Sequence, residues 1–255
     1  MNPAAAGFFF EPPMAAPRFF VDQDLARGIE LTLPAPVMHH AVRVLRLRDG
    51  DRIVLFNGRG GEFAAALRID GRRAAARVER FDPVERESPL ALTLVQAWVA
   101  ADKLDWIVEK ATELGVARVV LAPAERSVVR LQGERRERRR VHLRQIAIAA
   151  CEQCGRNRVP DVVVADTLAA ALDAAGSDEM LILAPEAETA LSPAAAAAST
   201  ALLVGPEGGF TPQEIAAACR LGCRPVRLGP RVLRTESAGL AALATLQALR
   251  GDLLR

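Results

Sequence analysis

The chain has 255 residues, 51% of them apolar and 25% charged, with a net charge of +2 and four cysteines. That length allows two modest domains or one large one with a sizeable core. No apolar run reaches the ~18 residues of a membrane helix, and the cysteines are too few to staple a fold, so membrane-spanning and disulfide-scaffold classes are excluded. The charge is unevenly spread. Residues 100–158 carry 13 Lys or Arg against 8 acids, whereas 159–200 carry 7 acids and no base. A near-neutral total with one basic stretch fits a protein that meets a polyanion with a single surface.

Residues 1–17 lack the basic start of a signal peptide and read as a disordered extension of a cytoplasmic protein. From Arg18 onward short β segments are expected at 18–21, 29–33, 51–56, 61–68 and 73–80, with one short helix over 37–45. Turn signals lie between them at 48–51, 57–61 and 70–71. Short strands at such close spacing predict a small barrel over 18–86. The stretch 82–89, charged and with a proline near each end, marks the domain boundary.

A second domain over 90–255 alternates strand and helix. Strands are expected at 90–99, 116–122, 159–165, 180–184 and 225–228, and helices at 102–114, 134–154, 168–175, 212–221 and 236–250. The alanine-rich 193–199 is a short helix or a linker. Repeated βα units predict an α/β fold with a mainly parallel sheet, covered on both faces. The last helix, apolar almost all the way round, must be buried in its own domain or against a second copy.

One stretch stands out: LLVGPEGGF at 202–210, followed by Thr211-Pro212-Gln213-Glu214. A buried strand runs into a glycine loop and then into a helix opened by a capping box, which is the ligand edge of an α/β sheet. The loop has neither the GxGxxG spacing nor the GK[ST] ending of the common phosphate cradles, and it carries Glu207. A ligand with a cationic or hydroxyl-rich end fits it better than a pyrophosphate.

Together LLVGPEGGFTPQE, LGPRVLRTESAGLAAL, KLDWIVEKATELGV, AACEQCGRNRVP and the N-terminal RFFV, MHHAVRVLRLRDGD and LFNGRGGEF resemble the ribosomal RNA small-subunit methyltransferase E family, over roughly residues 18 to 252. That family belongs to the knotted SPOUT methyltransferases. The resemblance implies a C-terminal trefoil-knotted α/β domain binding S-adenosylmethionine, an N-terminal PUA-like β-barrel that binds RNA, and a homodimer. It implies methylation of uracil N3 in 16S rRNA on the small ribosomal subunit, with no membrane and no metal. The cofactor would sit among three loops, against Leu183 and Pro185, then Gly205, Pro206, Glu207 and Gly208, then Leu228, Gly229, Leu233 and Thr235.

For catalysis, Arg234 is assigned to the developing enolate oxygen and Glu236 to the N3 proton, with Glu152 and Arg156 as partner groups at the same mouth. The competing reading of Arg234 and Glu236 is an ion pair at a helix start. RNA contacts are expected from Arg18, His39, Arg43 and Arg46 in the first domain, and from Arg126 and Arg130 in the second. The Glu-interleaved arginine run 134–140 reads as a solvated helix face. The four cysteines read as small buried hydrophobes, not as a zinc site, and Trp98 and Trp106 as core. Lys103 and Lys110 fall on the polar side of their helix. Two rivals remain: a knotted methyltransferase acting on ribose 2′-O, and an RNA-binding assembly factor without catalysis. A nicotinamide oxidoreductase lacks its fingerprint.

Overall fold

The computed structural model describes residues 16–71, 73–192 and 197–254. The expectations for residues 1–15 and for 193–196 lie outside them. The chain divides into two compact units, meeting in sequence between Val84 and Glu85.

The first unit is a five-stranded sheet. Its strands are β1 (Arg18–Phe20), β2 (Glu30–Thr32), β3 (Arg52–Phe56), β4 (Glu62–Asp70) and β5 (Arg73–Asp82), in the order β1-β3-β4-β5-β2. In β4 and β5 buried and open positions alternate, so Phe63, Ala65, Leu67, Ala74, Ala76 and Val78 share one core with Phe19, Ile53 and Leu55. The expected barrel is seen as this ladder, with β1 and β2 at its two ends. The helix predicted over 37–45 starts earlier. Pro34 and Pro36 suit a helix opening, giving α1 (Ala35–Met38), and the chain then widens into a π turn, His39–Val44. Arg46 closes it in the left-handed region, with φ of 56°.

The second unit is a six-stranded sheet: β6 (Ala91–Ala97), β7 (Val116–Ala122), β8 (Asp161–Val164), β9 (Glu179–Leu183), β10 (Ser199–Val204) and β11 (Arg224–Val226). The order is β11-β9-β10-β6-β7-β8, and every pairing is parallel. Five helices connect or follow these strands: α2 (Ala101–Glu113), α3 (Gly133–Cys154), α4 (Leu168–Ala175), α5 (Pro212–Arg220) and α6 (Thr235–Arg250). Central strands β6 and β10 are buried along nearly their whole length because both faces are covered, one core holding Leu92, Leu94 and Leu202 and the other Val95, Ala201 and Leu203, with the polar Thr93, Gln96 and Thr200 buried among them.

From β6 the chain moves through β7 and β8 to one side, whereas β10 leads through α5 to β11 on the other. The boundary between β10 and β6 is therefore a topological switch point, and the crevice lies beyond the carboxyl ends of those strands. Helix α6 returns across this boundary and is pinned at both ends by buried polar groups. At its start Thr235 Oγ1 donates to the Gly205 carbonyl, 2.6 Å, and accepts from Gln96 Nε2, 3.1 Å. Near its end the Gln247 amide accepts from Ser88 Oγ, 2.7 Å, and donates to the Leu114 carbonyl, 2.8 Å.

Two expectations about the core need correction. Trp98 is buried, but Trp106 is 44% exposed, because α2 turns it away from the sheet. Of the cysteines, Cys151 and Cys223 are buried, Cys154 is half-buried and Cys219 is exposed. Burial, and then the neighbouring Cys219, push the Cys223 thiol up to about 11. Iodoacetamide at pH 8 is therefore expected to label Cys219 and leave Cys223 unmodified; mass spectrometry of the native protein showing Cys223 labelled first would contradict this.

Candidate active site

Three loops meet beyond the carboxyl ends of β9, β10 and β11. They line a cavity of about 670 Å³. Leu183–Glu186 follows β9, the glycine loop 205–209 follows β10, and Val232, Leu233 and Thr235 precede and open α6. The glycine loop is a tight turn in which Gly209 N donates to the Pro206 carbonyl, 2.9 Å. A Cβ at Gly205 would lie 3.0 Å from Phe210 N and 3.1 Å from Gly209 C, so the loop closes on itself only with glycine there. Gly209 takes φ of 67°, which a side chain disfavours. Beyond the loop, Thr211 Oγ1 accepts from Glu214 N at 3.2 Å and Glu214 Oε2 accepts from Thr211 N at 2.8 Å, completing the capping box read from the sequence.

The walls are apolar, from Leu183, Val204, Phe210, Ile215 and Leu233, while backbone amides of the loop supply polar edges. Leu228 and Gly229, with Val232 and Leu233, line an adjoining cavity of about 260 Å³ that shares Leu183 and Pro185. Residues assigned to the three cofactor loops thus come together in one place, although 183, 205 and 235 are far apart in the chain.

Of the charged groups at this mouth, the sequence points to Glu207 and Glu236 but not to Lys103. Lys103, in the first turn of α2, reaches across the switch point to Glu207 at 2.9 Å, with Glu236 at 3.8 Å. The competing reading, an ion pair of Arg234 with Glu236, gives way to a pairing of Glu236 with Lys103, while Arg234 is exposed just ahead of α6. Its charge is felt at Lys103, where it works against the ammonium. The Glu207 hydrogen bond holds Lys103 above its ordinary value. Burial pushes the Glu207 carboxyl up, and the Lys103 hydrogen bond, a backbone N–H and the Lys103 charge outweigh it, leaving it below its ordinary 4.5. Lys103 is one of two lysines in a chain of arginines, which is the one signal that could have found it.

Arg156 and Glu152 are not at this mouth within the chain. Arg156 is 4% exposed and donates to the carbonyls of Thr112 and Val116, both at 2.9 Å, while pairing with Glu87. Val116 begins β7 and the cavity lies beyond strand ends, so about 20 Å of strand separates them. Glu152 sits one turn from the end of α3, which delivers the chain to the start of β8 and hence to the same opposite edge. Burial works against the Arg156 charge, and Glu87 outweighs it, holding the guanidinium above its ordinary value. This is a structural ion pair.

Among the expected RNA contacts, Arg126 lies at the cavity. Its Nη1 donates to the Gly208 carbonyl at 2.9 Å, and its side chain packs on Gly208. Arg130 Nη2 donates to the Glu125 carbonyl at 3.3 Å. In the first unit His39 and Arg43 line a shallow cavity of about 380 Å³ together with Arg73, and Arg46 is exposed. Arg18 is corrected: half-buried, it pairs with Glu62 and lies 5.1 Å over the Phe56 ring, so its guanidinium is engaged within its own sheet. On α3, Arg138 pairs with Glu134 and Arg140 with Glu137, as a solvated helix face would. Among the described residues no group of three His, Cys, Asp or Glu is placed to hold a metal.

Residues 86–247 match the family of the RNA methyltransferase domain, and residues 33–79 the RNA methyltransferase PUA domain. Fold and loops thus define an RNA methyltransferase with a PUA domain. The chain is 30% identical to the ribosomal RNA small subunit methyltransferase E of Bacillus subtilis, over 92% of its own length and 99% of the relative. It is 33% identical to that of Mycobacterium bovis, over 92% and 93%. Among solved structures, the ribosomal RNA small subunit methyltransferase E of Neisseria gonorrhoeae, bound to S-adenosyl methionine, superposes with a TM-score of 0.86 at 37% identity, covering 93% of this chain and 99% of that one. The chain belongs to the ribosomal RNA small subunit methyltransferase E family.

Proposed function

We propose that the protein transfers a methyl group from S-adenosylmethionine to N3 of a uridine in 16S rRNA of the small subunit. The observation that carries this is the 670 Å³ cavity where three loops converge at the switch point, in a chain of this family. The cavity fits that cofactor: apolar walls suit an adenine, backbone donors suit its edge, and the carboxylates of Glu207 and Glu186 suit its sulfonium and α-ammonium charges. When bound, the cofactor supplies an electrophilic methyl on a sulfonium. The rest is work for the chain's own residues.

Uracil N3 must lose its proton before or as it attacks. Glu236, held beside Lys103, accepts that proton, and Arg234 stabilises the charge that develops on the uracil carbonyl oxygens. General-base help of this kind contributes roughly 10²–10⁴-fold. The loops 183–186, 205–209 and 232–235 would hold the cofactor, which would supply the methyl to N3 with the neutral thioether S-adenosylhomocysteine as leaving group. Alignment of two bound reactants and exclusion of water supply the larger share, up to roughly 7–11 kcal/mol. A trefoil-knotted second domain is part of the same proposal, supported by the bond from Thr235 at the start of α6 to the Gly205 carbonyl. So does a homodimer, for which Trp106, Val141 and Leu249 offer exposed apolar surface.

Calorimetry with S-adenosylmethionine, followed by mass mapping of treated small subunits, tests the reading. One added methyl on a uracil base is expected. A methyl on ribose would transfer the assignment to a 2′-O enzyme, and failure to bind the cofactor would end it.

Lys103→Met is expected to raise the Glu207 pKa past its ordinary value, because burial, the largest cause, is then opposed only by the backbone N–H. The sign follows from linkage. A depressed carboxylate contributes stability above its unfolded pKa and loses it as pH falls through the folded one, so the wild-type loop holds until below pH 4.5. Carboxyl carbon NMR titration checks this, and an unchanged Glu207 curve would refute it.

A further inference from the structure

A second cavity, about 680 Å³, lies beyond the carboxyl ends of β7 and β8 and is not used by the mechanism above. Its polar lining carries both signs, with Glu125, Asp166 and Glu214 beside two arginines. Arg130 and Arg136 face it, as do Gln132 and Gly133 at the start of α3. That helix is 22 residues long, and Gln132 makes no side-chain cap, so its first N–H groups and positive dipole end are left for another partner. The independent observation is Ser127. It is 7% exposed, lines the cavity, and its Oγ has no hydrogen-bond partner. A buried hydroxyl without a partner carries a desolvation penalty that a bond to a ligand oxygen would recover.

The acids nearby do not fill this role. Glu214 is occupied by the backbone amides of Glu125 and Thr211. Asp166 pairs with Arg136 from an exposed position, leaving the guanidinium at the rim. The remaining wall is apolar, from Trp98, Val129, Leu131 and Leu168. An anion alone would not need that wall or that volume; a phosphate carrying a base would use both. Position decides which kind. Arg126 lines the cofactor cavity and Ser127 lines this one, so adjacent residues, with Cα atoms about 3.8 Å apart, face the two sites.

We propose that this cavity is an RNA subsite, holding the phosphate and base of a nucleotide that flanks the methylated uridine. Ser127 Oγ–H, the α3 N-terminus and Arg130 bind the phosphate, and the base lies against the wall formed by Trp98 and Leu131. The proposal rests on the RNA methyltransferase reading, and the two are tested by separate readouts on the full chain.

Fluorescence anisotropy with a labelled single-stranded 12-nucleotide RNA, across a salt series, reads the subsite; calorimetry with S-adenosylmethionine reads the cofactor site. For Ser127→Val and Arg130→Gln, RNA binding is expected to weaken about tenfold. Arg130→Gln is also expected to lower the salt slope by about 0.7. Cofactor affinity should stay at its wild-type value in both, and neither variant should melt below wild type. Ser127→Ala, with no added bulk, separates the lost hydroxyl from a packing fault and should weaken RNA binding equally. Unchanged RNA affinity in all three variants overturns the subsite, and so does inorganic phosphate binding that they abolish while RNA binding persists. A wild type that binds no cofactor, yet loses RNA binding in the variants, would sink the methyltransferase reading alone.

Discussion

Thr235→Val should cost about 1–3 kcal/mol of stability and weaken S-adenosylmethionine binding at least tenfold. The valine has the shape of threonine, so the buried site keeps its packing and loses only the hydroxyl. That hydroxyl joins three distant segments: the end of β6 through Gln96, the glycine loop through the Gly205 carbonyl, and the first residue of α6. Without it the Gly205 carbonyl is left without its donor. Gln96 keeps a second bond, to the Ala97 carbonyl at 3.2 Å, so the penalty is nearer one orphaned group than two. At roughly 2–4 °C per kcal/mol for a chain of this size, melting should fall by several degrees. Thr235→Ser retains the hydroxyl and should restore most of the cofactor affinity. A valine variant that binds the cofactor within twofold of wild type would show that the tie between loop and helix is not what shapes the cavity.

Arg156→Ala should have the largest effect on folding, about 3–5 kcal/mol measured by urea unfolding. It leaves the Glu87 carboxylate without its partner and removes the donor to two carbonyls, those of Thr112 in the last turn of α2 and Val116 at the start of β7. Arg156→Lys should not rescue it, because a single ammonium cannot meet a carboxylate and two carbonyls in the planar spread that a guanidinium does. What remains folded at low temperature should still bind S-adenosylmethionine, since the pair sits at the opposite edge of the sheet. A variant as stable as wild type but without methyl transfer would return Arg156 to catalysis.

That last contrast shows where reading from sequence stops. In the motif AACEQCGRNRVP, a buried guanidinium and a catalytic one look the same. Deciding between them takes the parallel sheet, in which β7 begins at one edge while the loops open at the other. Lys103 failed in the opposite direction. On α2 it falls on the polar side, and nothing local shows that the chain folds Glu207 against it from 104 residues away. Arg18 likewise reads as a basic surface residue until β3 and β4 bring Phe56 and Glu62 to it.

Local rules determined a good deal. The alternation in β4 and β5, the strand at 116–122, the helix at 168–175 and the capping box at Thr211 follow from side-chain periodicity and short-range hydrogen bonds, which neighbouring residues set alone. The ordered motifs likewise pointed to the family. The strand order, the switch point between β10 and β6, and the charges that face each other across it were decided only by tertiary structure. Those contacts are made by residues 30 to 140 positions apart, and their energies depend on burial that no short window of sequence contains.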